Sequence, residues 1–334
     1  MLRTGWKSPS YQTAFASHHP AAAVRYSSSN VRSGSNPFYM PLTLLQNEST
    51  GTFREFCLKP ERPAIFPRAC FRYLPACQDW FTKTSAFNES SPQALNYDHW
   101  ERYSDTIVPL ELTRLPSSHN DKDCDAKGEE DFERFFAPLG LFLDWTRSEQ
   151  RESAHLYLAQ CQLLDLPKSL SDDVPTPPLV SQAGKGDIYD TNLWIGIPPT
   201  YTPLHRDPNP NLFIQLAGRK QIRLNAPDAG MRIFSRVRML LGQSVGYQAA
   251  ALRGEEMMRG SERILLEQAV WGDHTSPDGF EYEEGFDAVL EAGDGLFIPK
   301  GWWHSMKGAG GGITASVSFI QFTREVQSLL SIYF

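Results

Sequence analysis

The stretch Thr202-Pro203-Leu204-His205-Arg206-Asp207-Pro208-Asn209-Pro210-Asn211-Leu212-Phe213 decides how this chain is read. His205 and Asp207 stand two residues apart at the end of an extended run. Side chains at i and i+2 of a strand point the same way, so an imidazole and a carboxylate share one face. Alone, such a pair is common on protein surfaces. A second stretch changes its weight: Gly293-Asp294-Gly295-Leu296-Phe297-Ile298-Pro299-Lys300-Gly301-Trp302-Trp303-His304, a turn, an apolar strand, a proline, an aromatic pair and a histidine. Two histidines and one carboxylate on one side of a metal leave other positions open, the arrangement of non-haem Fe(II) oxygenases. No cysteine lies close by, which argues against a structural zinc site.

Working outward from this pair, short strands recur at regular spacing with turn residues between them. Asn192–Ile197, Thr202–Asp207, Leu212–Ala217, Lys220–Leu224, Asp287–Leu290, Leu296–Pro299, Trp302–Met306 and Ile313–Phe322 read as strands. That rhythm implies a sandwich or barrel. In the last of them Thr314, Ser316 and Ser318 alternate with apolar residues. Residues 229–271 break the pattern with helical periodicity and many Arg, Met and Leu residues, so 229–285 is read as a helical insertion over the barrel.

Upstream, the segment around Ala64-Ile65-Phe66, between prolines, suggests an edge strand. Residues 71–81 read as a short helix, Tyr97–Trp100 as a local turn or helix and Val108–Leu112 as a strand. The polar stretch 117–131 reads as a surface loop. Asp131–Phe136 reads as helix-like, His155–Gln160 as a strand, and Leu163–Ser171 as a helix stopped by Pro175-Thr176-Pro177-Pro178.

Composition bounds the function. The chain has 334 residues with 41% hydrophobic and 21% charged content, ordinary for a globular protein. A net charge of −7 argues against a nucleic-acid partner, which would call for a basic stripe. No apolar run of 18 residues exists, so no membrane span is expected. The five cysteines, Cys57, Cys70, Cys77, Cys124 and Cys161, are odd in number and form no C-x-x-C pair, so free thiols in a reducing compartment are expected. Residues 1–47 hold Arg3, Lys7, Arg25 and Arg32 but no acid. That composition is typical of organellar transit peptides, so residues 1–36 are expected to be a mitochondrial leader or a disordered tail, with Val24–Ser28 resembling a processing site. Cytoplasm or nucleus is the alternative location.

Lys220 follows His205 by 15 residues, at the start of the strand after a hairpin turn. A buried lysine facing the barrel would pair with a carboxylate. Thr202 and Asn211 flank the metal strand and offer neutral hydrogen-bond groups. At this point the sequence resembles the JmjC-domain 2-oxoglutarate oxygenases of the cupin superfamily, and looks closest to the small JmjC protein hydroxylases of the arginyl and asparaginyl type. Thr202–Phe213 matches their metal strand, Gly218-Arg219-Lys220 the turn before their co-substrate lysine, and Phe297–His304 their distal-histidine strand. Leu156–Gln160 resembles an upstream strand whose tyrosine contacts the co-substrate. Asn192-Leu193-Trp194 resembles the strand whose aromatic residue lines the substrate side.

The resemblance covers about residues 150–325. It implies a mainly β fold with flanking helices, a double-stranded β-helix (jelly roll). N-terminal α+β elements would occupy 37–150, the catalytic domain 151–325 and a C-terminal helix 326–334. His205, Asp207 and His304 would bind Fe(II). Tyr157, Thr202, Asn211, Lys220 and Ser318 would hold 2-oxoglutarate, with Trp194 on the substrate side and O₂ as the second co-substrate. The implied chemistry is hydroxylation of a C–H bond on a protein side chain, coupled to oxidation of 2-oxoglutarate to succinate and CO₂. The alternatives are a small-molecule oxygenase, an N-methyl-lysine demethylase and a non-catalytic cupin-like binding protein. The segment 229–285 is longer than in the hydroxylases, which puts substrate choice in doubt. The apolar C-terminal segment could form a homodimer contact or pack on its own barrel.

Overall fold

The computed structural model describes residues 38–45, 49–83, 92–114, 131–148, 154–184, 188–245, 255–272 and 283–321. The leader, the loop at 117–130 and the C-terminal helix expected from the sequence lie outside the described residues.

Short elements come first: β1 (Tyr39–Pro41), α1 (Thr50–Phe53), β2 (Ala64–Phe66), α2 (Pro75–Asp79), the hairpin β3 (Phe81–Lys83) and β4 (Gln93–Leu95), and α3 (Tyr97–Trp100). The helix read over 71–81 is thus only five residues long. Pro75 starts it at N1, where its missing N–H costs nothing, and Phe81 already pairs with Leu95. Longer elements follow: β5 (Ile107–Arg114), β6 (Asp131–Pro138), α4 (Leu139–Arg147), β7 (Ala154–Gln162), α5 (Lys168–Asp172), α6 (Pro178–Ala183), β8 (Ile188–Gly196), β9 (Tyr201–Arg206), β10 (Asn211–Ala217) and β11 (Arg219–Asn225). Then come α7 (Pro227–Leu240), α8 (Gly260–Trp271), β12 (Gly285–Glu291), β13 (Gly295–Ile298), β14 (Trp303–Ala309) and β15 (Thr314–Gln321).

Asp131–Phe136, expected to be helical, is strand β6. Phe132, Phe135 and Phe136 are spaced as on a helix face, but the whole segment pairs antiparallel with β5, from Asp131↔Arg114 to Pro138↔Ile107. Tertiary pairing overrides the local pattern. The helix read at 163–171 is divided by Pro167 into a 3₁₀ turn, Leu163–Asp165, and α5.

Two sheets face each other. The larger runs β2-β13-β10-β15-β8-β7-β5-β6 and the smaller runs β1-β12-β11-β14-β9. All pairings within them are antiparallel except β1 with β12. As expected, β2 is an edge strand. β5 and β6, from the N-terminal part of the chain, extend the same sheet that carries β8, β10 and β15.

Three apolar layers hold this together. On the outer face of the large sheet, Leu212, Ile214, Ala315, Val317 and Phe319 pack with Leu139, Phe142, Leu170 and Val180 of the helices. Between the sheets lie Phe213, Leu296 and Ile298 from one side and Ile222, Leu224, Leu290 and Met306 from the other. Outside the small sheet, α7 and α8 cover it with Ile233, Phe234, Val237, Leu266 and Val270 around Trp303 and Leu204. The insertion expected at 229–285 is therefore a helical cover. A Cβ on Gly230 would come within 2.1 Å of the Trp303 ring, so only glycine lets α7 lie this close. Among the described residues no helix is long and apolar enough to cross a membrane.

Candidate metal and co-substrate site

Strand alternation on β14 separates the jobs of its residues. Trp303 and Ser305 point outward, Trp303 into the α7–α8 layer and Ser305 to the indole N–H of Trp271, which donates to its Oγ at 2.8 Å. His304 and Met306 point between the sheets. His304 is fully buried and lies directly opposite His205 on β9. Their ring centroids are 4.1 Å apart. The pairing slips between His304 and Met306, so β9 carries an extra residue there. Pro203 sits in this bulge on an edge strand, where a residue without an N–H is tolerated.

The bulge has a use. It directs the Pro203 carbonyl at the His205 Nδ1, 2.8 Å away, and the Trp302 carbonyl meets the His304 Nδ1 at 3.2 Å. Each ring is thus held by its Nδ1–H, leaving Nε2 as the free lone pair. The His304 Nε2 lies 3.7 Å from Asp207 Oδ2. One donor atom from each of His205, Asp207 and His304 falls within 4.8 Å of the others. The backbone N–H of Gly301 donates to the Asp207 carbonyl at 2.9 Å and ties the end of β9 to the start of β14. Burial first, then the neighbouring His205, pushes the His304 pKa down to about 4, so its imidazole is a neutral ligand at neutral pH. Two imidazoles and one carboxylate fit a divalent first-row metal of the iron type, with no thiolate in the set.

Deeper between the sheets, Lys220 of β11 is buried. Its Nζ donates to Ser316 Oγ at 2.8 Å and to the Tyr157 hydroxyl at 3.4 Å, and lies 5.1 Å from the Phe213 ring centroid. No carboxylate pairs with it among the described residues. Burial alone pushes its pKa down to about 7. Around it the inner face of the large sheet is polar: Asn192 and Trp194 on β8, Asn211 and Gln215 on β10, and Thr314, Ser316 and Ser318 on β15, paired across the strands. Asn211 Oδ1 and Ser318 Oγ are buried with no hydrogen-bond partner. Tyr157 fits because Gly196 lies opposite it: a Cβ there would come within 2.4 Å of the ring. Burial raises the Tyr157 pKa, so the hydroxyl stays neutral.

The sequence-predicted residues divide as follows. His205, Asp207 and His304 converge. Lys220 and Tyr157 touch. Tyr157, Thr202 and Trp194 line one small cleft, whose far wall is Met257 and Met258 from the insertion. Asn211 and Ser318 share the inner face but make no contact with Lys220. Sequence reasoning missed Ser316, the nearest partner of Lys220, although the alternation of Thr314, Ser316 and Ser318 was its signal. It also missed Gln215 and the two methionines.

A jelly roll whose two sheets enclose a His-Asp-His cluster and a buried lysine defines a class, the cupin-like domains. The cupin-like domain family matches residues 50–320, and the chain belongs to that family. It is similar to lysine-specific demethylase JMJ30 of Arabidopsis thaliana, 30% identical over 191 residues, 57% of this chain and 39% of that protein. It is also similar to lysine-specific demethylase 8 of Danio rerio, 28% identical over 193 residues, 57% of this chain and 42% of that protein. Jumonji C domain-containing protein 5 of Drosophila melanogaster is 26% identical over 153 residues, 45% of this chain and 33% of that one. The matches thus span about two fifths or less of these relatives' own length.

Proposed function

We propose that this chain is an Fe(II)- and 2-oxoglutarate-dependent dioxygenase that hydroxylates a C–H bond of a protein side chain. The observation that carries the reading is the convergence of His205, Asp207 and His304, with a buried lysine between the same two sheets that pairs with no carboxylate among the described residues. A lone buried ammonium is costly, and the carboxylate of a bound dicarboxylic acid would offset that cost. The donor set fits iron, and the inner face fits the co-substrate: the orphaned Ser318 hydroxyl can donate to a carboxylate, and Tyr157 offers a neutral hydroxyl. Bound together, the metal and 2-oxoglutarate would supply the activation of O₂, one atom of which goes to succinate as CO₂ is released and the other to the substrate C–H bond.

The chain's own residues do the rest. Pro203 and Trp302 hold the two imidazoles in one tautomer. Lys220, steered by Ser316 and Tyr157, takes the distal carboxylate. Phe213, Ile222 and Met306 keep water out and strengthen that pairing. Trp194, Met257 and Met258 form the wall that a substrate side chain would meet.

A second reading is favoured by the relatives, two of which are named lysine-specific demethylases. Hydroxylation of an N-methyl group at the same site would lead to demethylation. The test is succinate formation by the full chain with Fe(II), ascorbate and 2-oxoglutarate, alone and with peptide pools carrying methylated and unmethylated lysine. We expect turnover that disappears in His205→Ala, because the metal loses a ligand. Mass spectrometry then separates the outcomes. A gained oxygen means hydroxylation and a lost methyl means demethylation. Absence of both turnover and Mn(II)-dependent 2-oxoglutarate binding sinks the oxygenase reading.

A further inference from the structure

At the other end of the barrel three hairpin turns meet the segment that precedes and includes β3 and β4. They enclose a cleft of about 390 Å³. β11 runs from Arg219 in this cleft to Leu224, the neighbour of His304, a span of about 17 Å at ~3.4 Å per residue. The cleft is therefore separate from the metal site.

Among the described residues four cations line it, Arg68, Arg72, Lys83 and Arg219, against one carboxylate, Glu291. Glu291 is taken by Arg68. Arg72, Lys83 and Arg219 make no side-chain hydrogen bond or ion pair with any described residue. In a chain of net charge −7 such a set is unusual, since converging like charges repel.

The frame is rigid. Gly218 N–H donates to Gln93 Oε1 at 2.8 Å, and Ile313 N–H to the Gln93 carbonyl at 2.7 Å. Gly293, with φ +93°, lies on the stems of Arg68 and Arg72: a Cβ there would come within 2.8 Å of one and 2.9 Å of the other. The stems of Arg68 and Arg72 are thus seated on the Gly293 turn. Planar guanidinium forks match phosphate oxygens two at a time, and the volume lies in the range of small-ligand sites.

We propose that this cleft binds a small phosphorylated molecule carrying at least two negative charges, at a site distinct from the 2-oxoglutarate lysine. The test is calorimetric titration of the full chain with pyrophosphate at low salt. Saturable binding is expected. It should weaken at least tenfold in Arg72→Ala/Arg219→Ala and less in Arg72→Lys/Arg219→Lys, which keeps the charge and the fold but loses the forks. It should persist in Lys220→Met. Absence of saturable binding overturns the proposal, as does binding that disappears in Lys220→Met yet survives in the arginine variants. Tighter binding of citrate than of pyrophosphate overturns the phosphate class.

Discussion

The two faces of β15 differ in chemistry but not in burial. Ala315, Val317 and Phe319 face outward and Thr314, Ser316 and Ser318 inward, and all six are buried. The outer face is occupied by the protein's own apolar side chains and is complete. The inner face holds polar groups, and three atoms on it and on neighbouring β10, Asn211 Oδ1, Gln215 Oε1 and Ser318 Oγ, are buried without partners. A buried polar group costs stability unless it is bonded. The difference teaches where the fold ends and the site begins: one face is closed by the chain, and the other is left for a ligand.

The strongest way to break this contrast is Phe319→Ala. It should destabilise the chain by about 3–5 kcal/mol, because it opens a cavity in the layer under the helices. Chemical denaturation checks it. A loss below about 1 kcal/mol would mean the outer layer is not closed-packed.

Lys220→Met should act in the opposite sense. It should weaken 2-oxoglutarate binding by about 10–100-fold, the worth of a charge-assisted pair, while leaving the ligand-free protein as stable or more so. Thermal unfolding with and without 2-oxoglutarate measures both. Equal destabilisation in the two conditions would make Lys220 a structural residue.

The pH dependence sharpens this further. The folded pKa of Lys220 is about 7, below its ordinary value of 10.5. Between those values the unfolded chain binds the extra proton. Lys220 therefore makes stability rise with pH from about 7 to 10.5, and the full penalty stands below 7. Binding of the dianion needs the protonated amine, so 2-oxoglutarate affinity should fall as pH rises above 7. Calorimetry across that range reads it, and a flat profile identical to that of Lys220→Met contradicts it.

Ser318→Ala should give the smallest change. Its Oγ has no partner to lose, so the ligand-free protein should be as stable or more stable, while 2-oxoglutarate binding weakens a few-fold. A large loss of ligand-free stability would show that the inner face is closed after all.

How much of this was legible follows the same division. The strands of the barrel were readable because alternation or a short apolar run between turns marks each one. His205, Asp207 and His304 were readable because their spacing has few other uses in such a context. β6 was misread because its phenylalanines have helical spacing, and only pairing with β5 decides the matter. Ser316 was missed because a serine carries no signal of its partner, and that partner, Lys220, is 96 residues away in the chain. The cationic cleft was illegible because its residues come from four separate segments that only the turns bring together.

The place of β9 in its sheet has one more consequence. Among the described residues it is an edge strand, paired only with β14, and the bulge at Pro203 leaves that seam incomplete. One of the three candidate ligands thus sits on a strand with a single neighbour, and the other histidine on that neighbour. A cation shared between them would act as a rivet across the seam. Amide exchange at Leu204 and His205 should then slow on addition of Mn(II), while exchange in β15, paired on both sides, stays as it was.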